Sequence, residues 1–234
     1  MIDQERMRIK AAQYGLILTD RQIEQLDIYA EMLVEWNEKM NLTSITQPEE
    51  IETKHFLDCM LVADLIKEED SVADVGTGAG FPGVVLKIIR PEAQITLIDS
   101  LEKRLNFLAE VGKALGIGMN YIHARAEDAG HAAGLREAFS VTTARAVASL
   151  NVLAEYCLPL TAKNGRLIAM KGPSADEEIV QAENALNILG GKITDRVSHM
   201  LPDQSERNII IVDKITPTPE KYPRRAKAIS NKPL

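Results

Sequence analysis

The stretch DVGTGAGFPG, residues 74–83, decides the fold of this 234-residue chain. Four of its ten residues are glycines, and it separates an apolar run typical of a strand from a run typical of a helix. Glycines let the backbone approach a ligand closely, and the following helix presents free N–H groups and the positive end of its dipole. We therefore expect a nucleotide-like ligand where the strand ends.

Two ligands fit these letters in different frames. Gly78, Gly80 and Gly83 give G-x-G-x-x-G, the fingerprint of dinucleotide-binding enzymes. Counted from Asp74, the letters give D-x-G-x-G-x-G, typical of S-adenosylmethionine (SAM) methyltransferases. An acid ending the first strand can meet the amino group of SAM, whereas it would repel a pyrophosphate. Asp74, with Gly76 and Gly78, therefore favours SAM, and an NAD-binding oxidoreductase is the alternative.

Strands and helices alternate after a helical start. Apolar positions repeat with helical spacing over 19–40, with Thr19 or Asp20 as the cap, and Pro48 begins another helix. We predict strands over 71–75, 94–99, 119–124, 140–146 and 165–171, and helices over 82–90, 101–116, 151–160 and 175–189.

Continuous apolar strands alternating with helices indicate a largely parallel sheet covered on both faces. The last two apolar runs, 191–201 and 207–215, look like a hairpin. We predict an α/β fold: a Rossmann-like class I SAM-dependent methyltransferase sheet with an antiparallel C-terminal edge hairpin and an N-terminal helical cap. The predicted division is a cap over 1–70, a methyltransferase domain over 71–215 and a basic tail over 216–234.

Two further positions fit a nucleoside. The second strand ends in Asp99, nineteen residues beyond Gly80, where a carboxylate can accept hydrogen bonds from ribose hydroxyls. Ala126 and Glu127 follow the third strand, where a loop usually flanks the adenine. A solvated acidic helix start explains these two residues equally well.

Composition limits the class of protein. There is neither a secretory signal nor an apolar run long enough to span a membrane, so we expect a cytoplasmic protein. Cys59 and Cys157 are far apart, which argues against a disulfide framework or a metal site and favours burial. The net charge of −7 argues against general nucleic-acid binding, and no DNA partner is expected. Five of the 27 basic residues, and no acid, nevertheless lie from Lys221 onward.

Missing motifs limit the chemistry. No D/N-P-P-Y/F loop, which usually accompanies methylation of an exocyclic amine, follows the fourth strand. Cys157 lies on a predicted helix and fits the core better than a nucleophile's position. Two cysteines are too few for a radical cluster. What remains is an acceptor that is already nucleophilic, such as guanine N7. Methylation of this atom needs no general base, and the enzyme accelerates it through proximity and orientation.

Several motifs in fixed order resemble one bacterial family. They are NLTSI, HFLDC, DVGTGAGFPG, LIDSLEKRLNFL, ARAED, ARAVASL, MKG and ERNIIIV. From Asn41 to the end the chain resembles the RsmG family, also called glucose-inhibited division protein B. The resemblance implies SAM-dependent methylation of guanosine N7 in 16S ribosomal RNA, in its 530-loop region, on the rRNA or on a small-subunit ribosomal particle.

The resemblance also implies roles for individual residues. Cofactor contacts would fall on Gly76, Phe81, Ala126, Glu127 and Arg145. Catalytic roles would fall on Arg145, Lys171 and His55, and RNA contacts on Asn41, Lys171, Arg207, Arg224 and Arg225. Alternatively, Arg145 pairs with an acid such as Glu127, and His55 is a satisfied histidine in a helix interface.

Other readings stay open at this stage. The enzyme could methylate another RNA or a small molecule, although the basic tail favours RNA. A non-catalytic RNA-binding or cell-division factor is a further alternative. In many family members a Gly-Thr-Pro turn follows KYPR, where this chain has RAKAISNKPL. The basic charge of the tail is kept, and its path over the RNA stays open.

Overall fold

Helices occupy the first seventy residues of the computed structural model, which describes residues 1–234. Helix α1 spans Gln4–Ala12 and α2 spans Asp20–Met40. Thr19 caps α2 as predicted: its Oγ1 accepts from the Gln22 amide at 3.3 Å, and the Gln22 side chain accepts from the Thr19 amide at 2.9 Å.

A continuous helical run follows at the predicted proline. It consists of α3 (Pro48–Glu50), a π-helical segment (Ile51–Leu57) and α4 (Asp58–Met60). A 3₁₀ turn, Ala63–Leu65, ends the helical region. The π-helical segment was not predicted, and such segments are frequent at functional sites.

Seven strands form one sheet in the order β3-β2-β1-β4-β5-β7-β6. Strands β1 to β5 are parallel, as predicted. Strand β7 runs antiparallel between β5 and β6, so the predicted hairpin places its reversed strand inside the sheet and leaves β6 at the edge. The strands are β1 (Ser71–Val75), β2 (Gln94–Asp99), β3 (Asn120–His123), β4 (Phe139–Arg145), β5 (Thr161–Lys171), β6 (Gly191–Met200) and β7 (Glu206–Lys214).

Six further helices follow β1 in the chain, and apolar side chains pack between helices and sheet on both faces of the sheet. These helices are α5 (Gly83–Ile89), α6 (Glu102–Leu115), α7 (Ala126–Ala129), α8 (Leu150–Cys157), α9 (Ala175–Leu189) and α10 (Ala226–Asn231). One apolar cluster joins α1, α2, α5 and α6 to the sheet, and the other joins α8 and α9 to it. Cys59 and Cys157 are both free and fully buried.

The N-terminal helices and the sheet share the larger cluster, so the division at residue 70 stays a prediction about domains rather than a visible boundary. The segment after β7 folds back over α7 and α8. Arg136 donates to the carbonyls of Thr218 and Tyr222 at 2.7 and 2.9 Å, and the Ile229 side chain is fully buried. None of the helices is both long and apolar enough to cross a lipid bilayer.

Candidate cofactor and RNA site

Two acids hold the glycine loop after β1. Asp74 Oδ2 accepts hydrogen bonds from Thr77 Oγ1 at 2.6 Å and from the Gly83 amide at 2.8 Å. Asp99 Oδ2, at the end of β2, accepts from the Gly78 amide at 2.9 Å. The two carboxylates, at the ends of the neighbouring strands β1 and β2, therefore fix the conformation of the loop.

The glycines of this loop serve two purposes. A Cβ at Gly83 would lie 2.3 Å from Leu97, so this glycine lets α5 pack against the sheet. At Gly78, where φ is +61°, a Cβ would meet only a backbone oxygen at 3.9 Å. The loop therefore faces open space at Gly78, as a ligand cradle requires.

A cavity of about 310 Å³ lies beside the loop, and we call it the nucleoside cavity. The structure brings four predicted cofactor residues together in its wall: Gly76, Asp99, Ala126 and Glu127. Other lining residues include Ser100, Arg104, Ala124, Arg125, Ala146, Val147, Tyr156 and Ala226. The size of the cavity and the Asp99 carboxylate in its wall suit the nucleoside part of SAM.

Four predicted cofactor residues do not line this cavity: Asp74, Gly78, Phe81 and Arg145, the last of which lines the cavity described next. Asp74 is fully buried. The Phe81 side chain is buried and stacks on His55, with ring centroids 4.2 Å apart. Any contact of Phe81 with a ligand must therefore come from its backbone.

A second cavity, of about 810 Å³, opens at the ends of β4 and β5, and we call it the acceptor cavity. The predicted residues His55, Arg145, Lys171 and Arg207 line it. Asp58, Thr43, Lys54 and Glu178 lie in the same wall.

Ala146 and Val147 border both cavities, which places the two spaces side by side. Ala146 has a φ of +56°, a left-handed conformation that is costly for a residue with a Cβ. Such strain concentrates at functional sites. Ala146 belongs to the ARAVASL motif and directly follows Arg145.

Arg145 is almost enclosed, and its partner is not the predicted Glu127. Its guanidinium donates to Asp58 Oδ2 at 2.9 Å and to the Lys54 carbonyl at 2.7 Å. It also lies over the Phe81 ring, 5.0 Å from the centroid. Asp58 is the nearer acid because the π-helical segment carries it across the end of β4, whereas Glu127 faces the nucleoside cavity.

Both ring nitrogens of His55 are held by neighbouring side chains. Nδ1 accepts from Arg145, which can only donate, so Nε2 carries the hydrogen and donates to Thr43 Oγ1. Burial and the charge of Arg145 lower the pKa of His55 to about 3. The ring is therefore neutral at pH 7 with both nitrogens occupied, which favours the alternative of a satisfied interface histidine.

The predicted RNA-facing cations of the acceptor cavity are already paired. Arg207 Nε lies 3.1 Å from Asp58 Oδ1, and Lys171 Nζ lies 2.7 Å from Glu178. Arg207 is about a quarter exposed and Lys171 is 7% exposed, so Arg207 is the more accessible of the two. Asn41 is exposed at the C-cap of α2 with a φ of +50° and does not line the cavity.

The two tail arginines differ completely. Arg224 makes three bonds to the fully buried Glu155, two of them from its guanidinium, at 2.8 and 2.6 Å. This pairing argues against the predicted RNA contact of Arg224. Arg225 is exposed and its side chain makes no hydrogen bond or ion pair.

Only two buried polar side-chain atoms in the chain lack a hydrogen-bond partner: Asp74 Oδ1 and Arg145 Nε. Buried polar groups are normally paired, so unpaired ones point to a missing ligand or to function. Burial also raises the pKa of Asp74 to about 6. An unpaired carboxylate oxygen at this strand end fits the amino group of SAM.

Three features of the site were not predicted: Asp58, Tyr156 and Ala226. HFLDC could have indicated Asp58, because residues three apart lie on one side of a helix and His55 was already a candidate. No signal in the sequence places Ala226 beside the third strand.

The parallel strands, the reversed β7 and the acid-held glycine loop define the class I SAM-dependent methyltransferase fold. One similar structure is a SAM-dependent O-methyltransferase from Thermotoga maritima, with a TM-score of 0.52 and 14% identity over 80% of this chain and 73% of that one. Another is the 16S rRNA (adenine(1408)-N(1))-methyltransferase from Catenulisporales acidiphilia, with a TM-score of 0.52 and 15% identity over 64% and 87%. At these identities the likeness shows the fold alone.

Residues 22–210 match the GidB family model, described as rRNA small subunit methyltransferase G. The chain belongs to this family. Ribosomal RNA small subunit methyltransferase G of Exiguobacterium sp. is 50% identical over 225 residues, 94% of each chain. Its counterpart in Alkaliphilus metalliredigens is 46% identical over 224 residues, again 94% of each. Membership confirms the predicted resemblance and the frame that begins at Asp74, so the NAD-binding alternative is wrong.

Proposed function

We propose that this protein transfers the methyl group of SAM to N7 of a guanosine in the 530-loop region of 16S rRNA. The observation that carries the proposal is the pair of adjoining cavities that share Ala146 and Val147. One has the carboxylate and the loop of a nucleoside site, and the other has cations around an open space large enough for a base.

Four residues would hold SAM in this arrangement. Asp99 would accept from the ribose, Ala126 and Glu127 would flank the adenine, and the unpaired oxygen of Asp74 is the acceptor available for the amino group. When bound, SAM supplies an electrophilic sulfonium methyl group.

The acceptor cavity fits a nucleophile that needs no deprotonation. Guanine N7 has a free lone pair, so transfer requires alignment but no general base. The wall agrees with this requirement: His55 is neutral with both nitrogens bonded, and Asp58 is held by Arg145 and Arg207. These residues orient and stabilise the site without moving a proton.

The RNA backbone would be held by the cations that remain accessible. Arg207 and Lys54, about a quarter and a third exposed, line the acceptor cavity, and Arg225 is free on the tail. Asn41 and Lys171 would assist from the rim and the end of β5. The substrate would be naked 16S rRNA or the small-subunit particle, in the cytoplasm.

The direct test is transfer of labelled methyl to 16S rRNA from cells lacking this protein, followed by nucleoside analysis. We expect the label in 7-methylguanosine at one position, for purified rRNA or for the small-subunit particle. Asp99→Asn should lower transfer by weakening SAM binding, while 23S rRNA should stay unlabelled. Label in another nucleoside would refute the N7 assignment, and SAM binding without any transfer to either RNA form would refute the substrate.

A further inference from the structure

The C-terminal segment forms part of the nucleoside cavity. Ala226, the first residue of α10, lines this cavity together with Tyr156 and the Ala126–Glu127 pair. The chain reaches this place from β7 by crossing the outside of α7 and α8. A segment predicted to lie on RNA therefore supplies a wall of the cofactor site.

The anchor of this wall is the ion pair between Arg224 and Glu155. Glu155 is fully buried and directly precedes Tyr156, while Arg224 lies two residues before Ala226. Both the amide and the guanidinium of Arg224 donate to the same carboxylate. One pair thus fixes two wall residues, one from α8 and one from the tail.

Pro223, directly before Arg224, is held by contacts with the residues that follow α7. His131 Nε2 lies 2.7 Å from the Pro223 carbonyl, and a Cβ at Gly130 would lie only 2.8 Å from the Pro223 ring. Gly130 and His131 directly follow α7, which carries Ala126 and Glu127. The tail is therefore packed against both helices that border the cavity.

Burying a glutamate costs solvation energy that its pairing with an arginine partly recovers. Glu155 is fully buried, whereas Arg224 is about a quarter exposed. A fixed geometry is what the bidentate pair supplies. The three bonds from Arg224 to Glu155 thus fit a positioning role beside the cofactor site.

We propose that residues 222–226 are a strap that completes the SAM site, with Arg224 as a positioning residue that sets Ala226 and Tyr156 against the nucleoside. The inference rests on SAM as the cofactor in the proposed function. It assigns the tail to cofactor binding at Arg224 and Ala226, and leaves only exposed residues such as Arg225 to RNA.

The test is calorimetric titration of the full-length protein with SAM. Ala226→Leu adds volume at the cavity wall, and we expect the dissociation constant to rise about tenfold, equivalent to ~1.4 kcal/mol. The matched control is Ala228→Leu, in the same helix at an exposed position outside the cavity wall, which should bind SAM as the unaltered protein does. A melting curve for each variant shows whether the fold is retained.

A second variant tests the anchor. Arg224→Lys keeps the charge and loses the bidentate geometry, so SAM affinity should fall while the melting temperature changes little. Equal affinity for Ala226→Leu, Ala228→Leu and the unaltered protein would overturn the strap. If Arg224→Lys lost RNA affinity and kept its SAM affinity, the strap would likewise be overturned, and Arg224 would be an RNA contact instead. If the unaltered protein bound no SAM, the proposed function itself would fail, which is a separate outcome.

Discussion

The two cavities of this protein use carboxylates in opposite ways. Around the nucleoside cavity, Asp74 and Asp99 accept hydrogen bonds from the glycine loop, so acids shape the backbone. Around the acceptor cavity, Asp58 and Glu178 pair with cations, so acids neutralise charge. The first cavity depends on backbone shape and the second on balanced charge.

This difference indicates whether a substitution near each cavity lowers ligand affinity or stability. A backbone-shaped site loses ligand affinity when a loop contact changes. A charge-balanced site loses stability when one partner is removed, because the remaining charge stays buried. Substitutions around the acceptor cavity should therefore change stability, and those around the nucleoside cavity should change SAM affinity.

Asp58→Ala should have the largest effect, because it leaves two arginines facing one another without their shared acid. Asp58 and Arg145 are 4% and 16% exposed, so the loss should lower the free energy of unfolding by about 3–5 kcal/mol. Urea denaturation measures it. Asp58→Asn keeps the shape and some hydrogen bonding but removes the charge, so it should cost somewhat less than Asp58→Ala; a negligible loss in Asp58→Asn would show that shape, not charge, matters here.

His55 should make stability depend on pH. Its native pKa of about 3 lies below the ordinary value of 6.5, so the unfolded chain takes up the proton first as the pH falls. The contribution of His55 is complete above pH 6.5 and should decrease by about 1.4 kcal/mol per pH unit below it, or ~2 kcal/mol by pH 5.

The raised pKa of Asp74 acts in the opposite direction, since native protonation begins near pH 6. The informative quantity is therefore the difference between the unaltered protein and His55→Gln in urea denaturation at pH 7 and pH 5. We expect the variant to lack the decrease due to His55. Parallel pH profiles for the two proteins would contradict a buried neutral histidine.

Beside the nucleoside cavity, Asp74 should make SAM affinity depend on pH. The carboxylate must be ionised to meet the amino group, and burial raises its pKa to about 6. The dissociation constant should therefore rise as the pH falls below 6, by up to about tenfold per pH unit. Calorimetry at pH 7.5, 6 and 5 measures this, and Asp74→Asn should bind weakly with a flat profile; the same slope in both proteins would exclude Asp74.

The smallest effect is expected for Arg225, which is exposed and free. Arg225→Gln should leave SAM affinity unchanged and reduce the salt dependence of RNA binding by a slope of ~0.7 per lost phosphate contact. Binding to a 16S rRNA fragment at several salt concentrations measures the slope. An unchanged slope would remove Arg225 from the RNA surface.

Local patterns explain what the sequence predicted well. The glycine loop, Asp74 and Asp99 lie within 26 residues, and their strands and helices follow from short apolar periodicities. The glycine loop and the two strand ends of the nucleoside cavity were therefore predictable, whereas Tyr156 and Ala226 in its wall were not. Backbone-shaped sites leave a mark in sequence because few residue types allow the required conformations.

The acceptor cavity was less predictable because its pairs are remote in sequence. Asp58 and Arg207 are 149 positions apart, and Asp58 and Arg145 are 87 apart. The Glu155–Arg224 pair beside the nucleoside cavity is likewise remote, with its members 69 positions apart. A basic residue has the same letter whether it is paired or free, so Arg224 and Arg225 could not be distinguished. Only the packing of α8 against the tail separates them.

The wall formed by Ala226 has a consequence for synthesis of the protein. A ribosome delivers the chain from its N-terminus, so the glycine loop and the other residues of the nucleoside cavity emerge before Ala226. A nascent chain can build the whole sheet, yet its cofactor site lacks one wall until Ala226 has emerged. Termination between β7 and Ala226 would thus leave a chain with a complete sheet and an open site.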